Sequence, residues 1–224
     1  LDKLLSIKDV SELLQVNERT ILRLIQSNKI PARKIGNQWR FHPAQLETWF
    51  IEGDKNGIDT YASLSDRWKS EEEYQIFSQS RTLLDFKTRS SREVIEKMIQ
   101  MLAETGHLLQ SEIYRQAVLE REEISSTGIG GGVALPHGWH PINDLFRVPL
   151  IVSARLQSPI DFRSVDGRPV DLIFLLSAPR KIHLKLLSVM SSIAKQQIVM
   201  DKLRTVQNPS EFVTILNTAA KIEN

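Results

Sequence analysis

Residues 127–138 read Thr127-Gly128-Ile129-Gly130-Gly131-Gly132-Val133-Ala134-Leu135-Pro136-His137-Gly138 and hold five of the ten glycines. No Gly-Lys-Ser/Thr follows, and the spacing does not fit G-x-G-x-x-G, so this is not a nucleotide loop. The pattern predicts a mobile glycine loop running into a short strand, residues 133–135, that ends on a proline and an imidazole. A histidine between Pro136 and Gly138 has little bulk beside it and is expected to stand open to the surface of another molecule. Neutral imidazole is a nitrogen nucleophile near pH 7, and neighbouring cations offset the charge of an incoming phosphoryl group. Arg121 and His183 are the candidates for that role, with loop amides at Thr127, Gly128 and Gly130 able to embrace phosphate oxygens. Such a site needs no metal and no cofactor.

Working outward, residues 148–156 and 170–177 are strand-like and apolar enough to be buried on both faces. Ser90 and Glu93 form a capping box ahead of Val94, Ile95, Met98, Ile99 and Leu102, which share one face of a helix. A second helix is expected over residues 112–120, a long amphipathic one over 183–200, and a last one to Ala220, opened by Asn208-Pro209-Ser210-Glu211. This alternation predicts a layered α/β sheet domain with helices on both faces over residues 75–224.

The first fifty residues are of another kind. Ser6 caps a short helix with Ile7, Val10, Leu13 and Leu14 on one face, and Asn17 caps a second in which Ile21, Leu24 and Ile25 face inward. Alternation around Gly36-Asn37 predicts a hairpin, and Pro43 opens a third helix with Leu46, Trp49 and Phe50 inward. Two short helices, a tight turn and a hairpin make a winged helix-turn-helix, mainly α with a β wing, over residues 1–50. The linker-like composition runs from Ile51 to about Ser80, with residues 51–74 read as the linker proper, although Trp68, Tyr74 and Phe77 are too apolar for a free tether.

The formal charge of +2 conceals a strong asymmetry. Arg19, Arg23, Lys29, Arg33, Lys34 and Arg40 fall in a stretch without one Asp or Glu, the footprint of a surface that meets phosphate backbone. Hydrophobic residues at 41% and charged residues at 25% exclude a disordered chain, and no apolar run approaches the roughly 20 residues of a membrane span. The absence of cysteine excludes disulfides and thiolate metal sites. Leu1-Asp2-Lys3 shows no signal-peptide zoning, and a cytoplasmic setting is expected.

Other readings of the histidines are weaker. His42 reads as a helix cap and His107 as a loop residue. His137, His140 and His183 offer three imidazoles to zinc, but the loop carries no nearby carboxylate to orient them. Ser125 and Ser126 lie on no nucleophile elbow that would pair with His137 for acyl transfer.

Two resemblances extend this reading. Residues 6–14, Arg19-Thr20-Ile21, Ile30-Pro31-Ala32, Lys34-Ile35-Gly36 and Trp39-Arg40-Phe41 resemble the excisionase-like branch of the MerR-type winged helix domains. That resemblance implies major-groove contacts from Arg19, Thr20 and Arg23, wing-to-backbone contacts from Lys34, Asn37 and Arg40, and a homodimer on paired half-sites. Arg121-Glu122-Glu123, residues 126–130, residues 133–137, Pro159-Ile160-Asp161-Phe162, residues 166–172 and the segment from Ala178-Pro179 to His183-Leu184 look like the fructose/mannitol and nitrogen-regulatory class of enzyme IIA domains. These domains belong to the phosphoenolpyruvate:sugar phosphotransferase system. The resemblance implies that His137 takes a phosphoryl group from an HPr-type phosphocarrier, with Arg121 and His183 beside it. Gly138-Trp139-His140 departs from the commoner residues after the histidine, so donor and acceptor stay open.

Two functions fit. One is a DNA-binding regulator controlled by phosphorylation of His137; the other is a relay that passes phosphate to a transporter IIB unit, with the N-terminal domain as a docking module.

Overall fold

The computed structural model describes residues 4–14, 16–53, 75–138 and 145–220. In the N-terminal domain, α1 (Ile7–Leu14) is held by a reciprocal cap: Ser6 N–H donates to Asp9 Oδ2 at 2.8 Å and Asp9 N–H to Ser6 Oγ at 3.2 Å. Asn17 Oδ1 accepts from Thr20 N–H at 2.8 Å and starts α2 (Glu18–Gln26). The wing is β1 (Arg33–Ile35) paired antiparallel with β2 (Gln38–Arg40), and Gly36 turns between them at φ +57°, where a side chain would be strained. Next, α3 (Pro43–Gly53) begins on its proline and runs past the boundary expected at residue 50. Val10, Ile21, Ile25, Ile30, Phe41 and Leu46 form the small core.

The C-terminal domain opens on a 3-10 turn (Gln79–Arg81) and contains β3 (Thr82–Phe86), α4 (Ser91–Glu104), α5 (Ser111–Ile124), β4 (Gly128–Gly130), β5 (Val133–Ala134), β6 (Leu150–Ile160) and β7 (Val170–Ser177). Three helices follow: α6 (Arg180–Ala194), α7 (Gln197–Thr205) and α8 (Pro209–Ala219). The sheet is mixed, in the order β3-β6-β7-β5-β4, with β3 parallel to β6, β5 parallel to β7, and antiparallel pairs elsewhere. Alternation along β7 decides the layers. Leu172, Phe174 and Leu176 face the helices that follow the sheet, and Ile173 and Leu175 face the layer of Val94, Met98 and Val118 on α4 and α5. Ile76 and Phe77 are buried in the first of these layers, so the packing of this domain begins by residue 76; Trp68 and Tyr74, with most of the expected linker, lie outside the described residues.

Several expectations change. The strand β3 was not foreseen. The helix expected over residues 183–200 is two helices broken at Lys195-Gln196, and the one expected over 112–120 extends to Ile124. The glycine stretch is a hairpin and no mobile loop: Gly130, Gly131 and Gly132 take φ of +96°, +64° and +81° and turn β4 into β5. Ser90 Oγ accepts from Glu93 N–H, but the Glu93 carboxylate turns to Thr88 instead of returning to the Ser90 N–H.

Candidate functional site

Beyond Ala134 the chain stays alongside β7: Leu176 N–H donates to the Pro136 carbonyl at 2.9 Å, and His137 bridges Leu176 in parallel fashion. Tyr114 Oη, on α5, donates to the Leu176 carbonyl at 2.6 Å and braces the same point. Gly138 passes so close to Ala117 and Tyr114 that a Cβ would stand 3.4 Å from each. His137 therefore sits at the carboxyl ends of a central parallel pair, where crossing loops and helix starts converge on a sheet.

Three other elements deliver side chains to this point. His183 comes from the first turn of α6, its ring centroid 5.3 Å from that of His137. Arg121 comes from the last turn of α5, with Nη1 donating to the Ser125 carbonyl at 2.6 Å. The fourth group is Glu47, from α3 of the other domain. Its Oε2 accepts from Arg121 Nη2 at 3.3 Å and faces His137 Nε2 at 3.2 Å. The helices α1 and α3 both pack against α6, which brings the carboxylate in.

Hydrogen placement follows from these partners. His137 Nδ1 faces the Leu135 carbonyl oxygen at 2.7 Å, which only accepts, so Nδ1 carries a hydrogen. Nε2 faces the Glu47 Oε2 at 3.2 Å, so the carboxylate engages the second ring nitrogen. Burial alone would push the Glu47 carboxyl up; His137 and Arg121, with a smaller contribution from His183, outweigh it and hold the carboxyl down at about 2. Burial, with His137 and Arg121 acting in the same sense, lowers His183 to about 4, and Glu47 opposes them. His183 Nε2 is buried without a hydrogen-bond partner among the described residues.

The sequence reading thus placed His137, Arg121 and His183 together, and the structure brings them together. Its expectation of an open imidazole is reversed. His137 is 3% exposed, because Glu47 and α3 cover it. Glu47 was missed. The one available sign was an acid beside Leu46 on a helix whose apolar stripe, with Trp49 and Phe50, is wide for so small a domain.

The loop positions divide. Thr127 pairs with Leu135 through backbone and spends its N–H and Oγ1 on the Glu122 carboxylate. Gly128 lies in β4 against Ser164, and Gly130 lies at the hairpin tip beside Asp166. Gly130 pairs with Val133, four residues before His137, roughly 13 Å along an extended chain, so that glycine is not brought to the imidazole. On the N-terminal domain Arg19, Arg23, Lys34 and Asn37 are exposed, while Thr20 and Arg40 are half-buried. Arg40 Nη1 donates to the Trp39 carbonyl at 3.0 Å, and Lys34 Nζ lies 6.0 Å from the Trp39 ring centroid. Trp139 and His140 lie outside the described residues.

Glu47, His137 and His183 each offer one ligand atom, all within 4.8 Å, the number and type of donors a zinc ion uses. The carboxylate missing from the sequence reading is thus supplied by the other domain. The Arg121 guanidinium already holds that carboxylate, however, and a dication beside it would meet an uncompensated like charge. An anion of two or three oxygens suits the two imidazoles and the guanidinium better.

Among the described residues no helix is long and apolar enough to cross a membrane. Residues 75–219 match the family described as phosphoenolpyruvate-dependent sugar phosphotransferase system, EIIA 2, and residues 4–53 match a helix-turn-helix domain. The chain is similar to a nitrogen regulatory protein of Klebsiella oxytoca, 34% identical over 147 residues, covering 64% of this chain and 89% of that protein. It is similar also to the PTS system fructose-specific EIIABC component of Bacillus subtilis, 29% identical over 148 residues, covering 64% of this chain but only 22% of that longer protein. The crystal structure of nitrogen regulatory protein IIA-Ntr from Neisseria meningitidis superposes with a TM-score of 0.56 at 31% identity, over 63% of this chain and 96% of that one.

Proposed function

Because the chain belongs to the phosphoenolpyruvate-dependent sugar phosphotransferase system EIIA 2 family and carries a helix-turn-helix domain ahead of that region, we propose that it is a DNA-binding regulator set by a phosphoryl group on His137. The observation that carries this reading is the tie from His137 Nδ1 to the Leu135 carbonyl at 2.7 Å, which leaves Nε2 as the free nitrogen, facing the same Glu47 oxygen that Arg121 binds. In the transfer, the Nε2 lone pair of neutral His137 attacks the phosphorus of a phosphohistidine on an HPr-type carrier. The N–P bond of the carrier breaks, its imidazole leaves with the electron pair, and a new N–P bond forms on His137. On this reading Arg121 Nη2 and His183 Nε2, the latter without a hydrogen-bond partner among the described residues, serve the phosphoryl oxygens.

On this reading the basic face of Arg19, Thr20 and Arg23 enters the major groove as part of a dimer on paired half-sites, and Lys34, Asn37 and Arg40 contact the backbone. A phosphoryl group adds about −1.5 to −2 charges, enough to change how the attached domain is held or how it meets DNA. On this reading the exchange with an HPr-type carrier is a cytoplasmic one.

A second reading, relay of phosphate to a IIB unit, draws on the similarity to a protein whose EIIABC name joins those units in one chain. One series of measurements separates the two. Incubation with phosphoenolpyruvate, enzyme I and an HPr-type carrier is expected to add one acid-labile phosphate, seen by mass spectrometry on the peptide containing His137 and absent in His137→Ala. Gel shifts at two salt concentrations are expected to show salt-weakened DNA binding that differs between the two forms and drops in Arg23→Ala. DNA binding that is absent or identical in both forms, with rapid passage of the phosphate to IIB, establishes the relay.

A further inference from the structure

Glu47 occupies the space in which the reading of His137 as phosphoacceptor requires a phosphoryl group. One carboxylate oxygen lies 3.2 Å from His137 Nε2 and 3.3 Å from Arg121 Nη2, the nucleophile and the guanidinium that a phosphoryl oxygen would use. The third group is His183, its ring centroid 5.3 Å from that of His137 and its Nε2 buried with no hydrogen-bond partner among the described residues, a nitrogen left over where a carboxylate offers fewer oxygens than a phosphate.

We propose that α3 of the helix-turn-helix domain is an internal ligand of the phosphoryl site, its Glu47 carboxylate standing in for phosphate, so that phosphorylation of His137 and docking of the two domains exclude each other. The inference rests on the phosphoacceptor reading and adds a partner to it: the surface around His137 is a docking surface for the chain's own DNA-binding domain.

Docked Glu47 blocks the reaction twice. It fills the approach to Nε2, and while its oxygen is hydrogen-bonded at Nε2 that nitrogen presents no lone pair to phosphorus. Transfer therefore begins when α3 leaves and the Nε2 proton passes to water. The lone pair then takes the phosphoryl group as the N–P bond of the donor breaks and its nitrogen departs with the electron pair. The reverse exclusion is electrostatic. A phosphoryl group of about −1.5 to −2 charges and the Glu47 carboxylate would compete for one guanidinium in a space only one of them fits, so the phosphorylated chain cannot dock again. Docking also involves α1, which packs on α6 beside α3, so release frees the surfaces of both helices that face α6.

The test uses the full chain. Since the protein has no cysteine, spin labels on Glu18→Cys and Gln100→Cys, both at exposed positions on different domains, report the interdomain distance alone. The phosphoryl donor is phosphoramidate, whose N–P bond breaks with ammonia as the leaving group, so that no carrier docking enters the rate. Phosphate is read by mass spectrometry on the His137 peptide. The expected result is one narrow distance in the unmodified chain, broadening on phosphorylation, and broadening without phosphate in Glu47→Lys. That variant is expected to take phosphate at least about tenfold faster, since it removes one partner of a buried charge pair. The isosteric Glu47→Gln, checked by circular dichroism alongside it, is expected to fall between the two.

Equal rates in all three proteins, or a distance that stays narrow in the phosphorylated chain, would overturn the docking proposal and leave the phosphoacceptor reading in place. No phosphate on His137 in any variant, including the opened Glu47→Lys, removes the phosphoacceptor reading and the proposal with it.

Discussion

His183 is neutral in the fold because burial, then His137 and Arg121, oppose its protonation and lower it to about 4, with only Glu47 acting the other way. In the unfolded chain the same ring titrates near 6.5. As pH falls below 6.5 the unfolded state binds a proton that the folded state refuses, so stability present above 6.5 is lost down to about pH 4. That loss is on the order of 3 kcal/mol. Glu47 adds a second window: its carboxyl is held at about 2, so what it contributes is intact above the usual 4.5 and lost as pH falls from there through 2. Thermal midpoints measured from pH 7.5 to 4 are expected to fall steadily in the native chain, and to fall less between 6.5 and 4.5 in His183→Gln. An identical slope in both proteins shows that His183 does not carry the first window.

At the scale of elements, Arg155 on β6 is buried under the end of α7, where Nη1 donates to the Leu203 carbonyl at 3.3 Å, the Arg204 carbonyl at 3.1 Å and the Val206 carbonyl. Its Nη2 donates to Asp85 Oδ1 on β3 at 2.9 Å. A fixed cation at a helix C-terminus satisfies carbonyls that have no partner within the helix. Arg155→Met keeps the volume but abandons those carbonyls and Asp85, and is expected to lower unfolding free energy by about 2 to 4 kcal/mol in urea titrations. Arg155→Lys is expected to recover little of it, since a single ammonium cannot serve both the helix end and Asp85; full recovery would show that only the charge matters.

These contacts also mark what local patterning can and cannot reveal. Ser6, Asn17 and Asn208 announced their helices, because a cap is a neighbour-to-neighbour bond. The break at Lys195-Gln196 has no glycine or proline to announce it, and β3 is short, with exposed Asp85 next to its end at φ +55°. Gly130-Gly131-Gly132 suggests a mobile loop by composition alone, yet three successive positive φ values are a turn that side chains would resist. His137, Arg121 and His183 were legible as residue types in an order of motifs. Glu47 was not, since its role depends on how two domains meet.

For the molecule as a whole, the meeting of the domains has a thermodynamic consequence. The N-terminal domain is a short chain with a core resting on Val10, Ile21, Phe41 and Leu46, and domains of about fifty residues bury too little apolar surface to be more than marginally stable alone. The C-terminal domain has two buried layers on its sheet and does not need that support. Docked through α1, α3 and the Glu47 cluster, the small domain borrows stability from the large one by the linkage that governs any ligand binding only the native state. Calorimetry of the unmodified chain is therefore expected to show the two units melting together or nearly so. In Glu47→Lys the cation faces Arg121, docking is lost, and the small unit is expected to separate as a distinct transition at lower temperature. A destabilisation of about 1 kcal/mol moves a domain of that size by roughly 4 to 8 °C, so a loss of several kcal/mol is easily seen. The upper transition is expected to remain where the wild-type protein has it, within about the effect of one surface substitution. Were both units instead to shift together with a single transition, their coupling would reside in the α1 and α6 packing, and Glu47 would be a passenger in it.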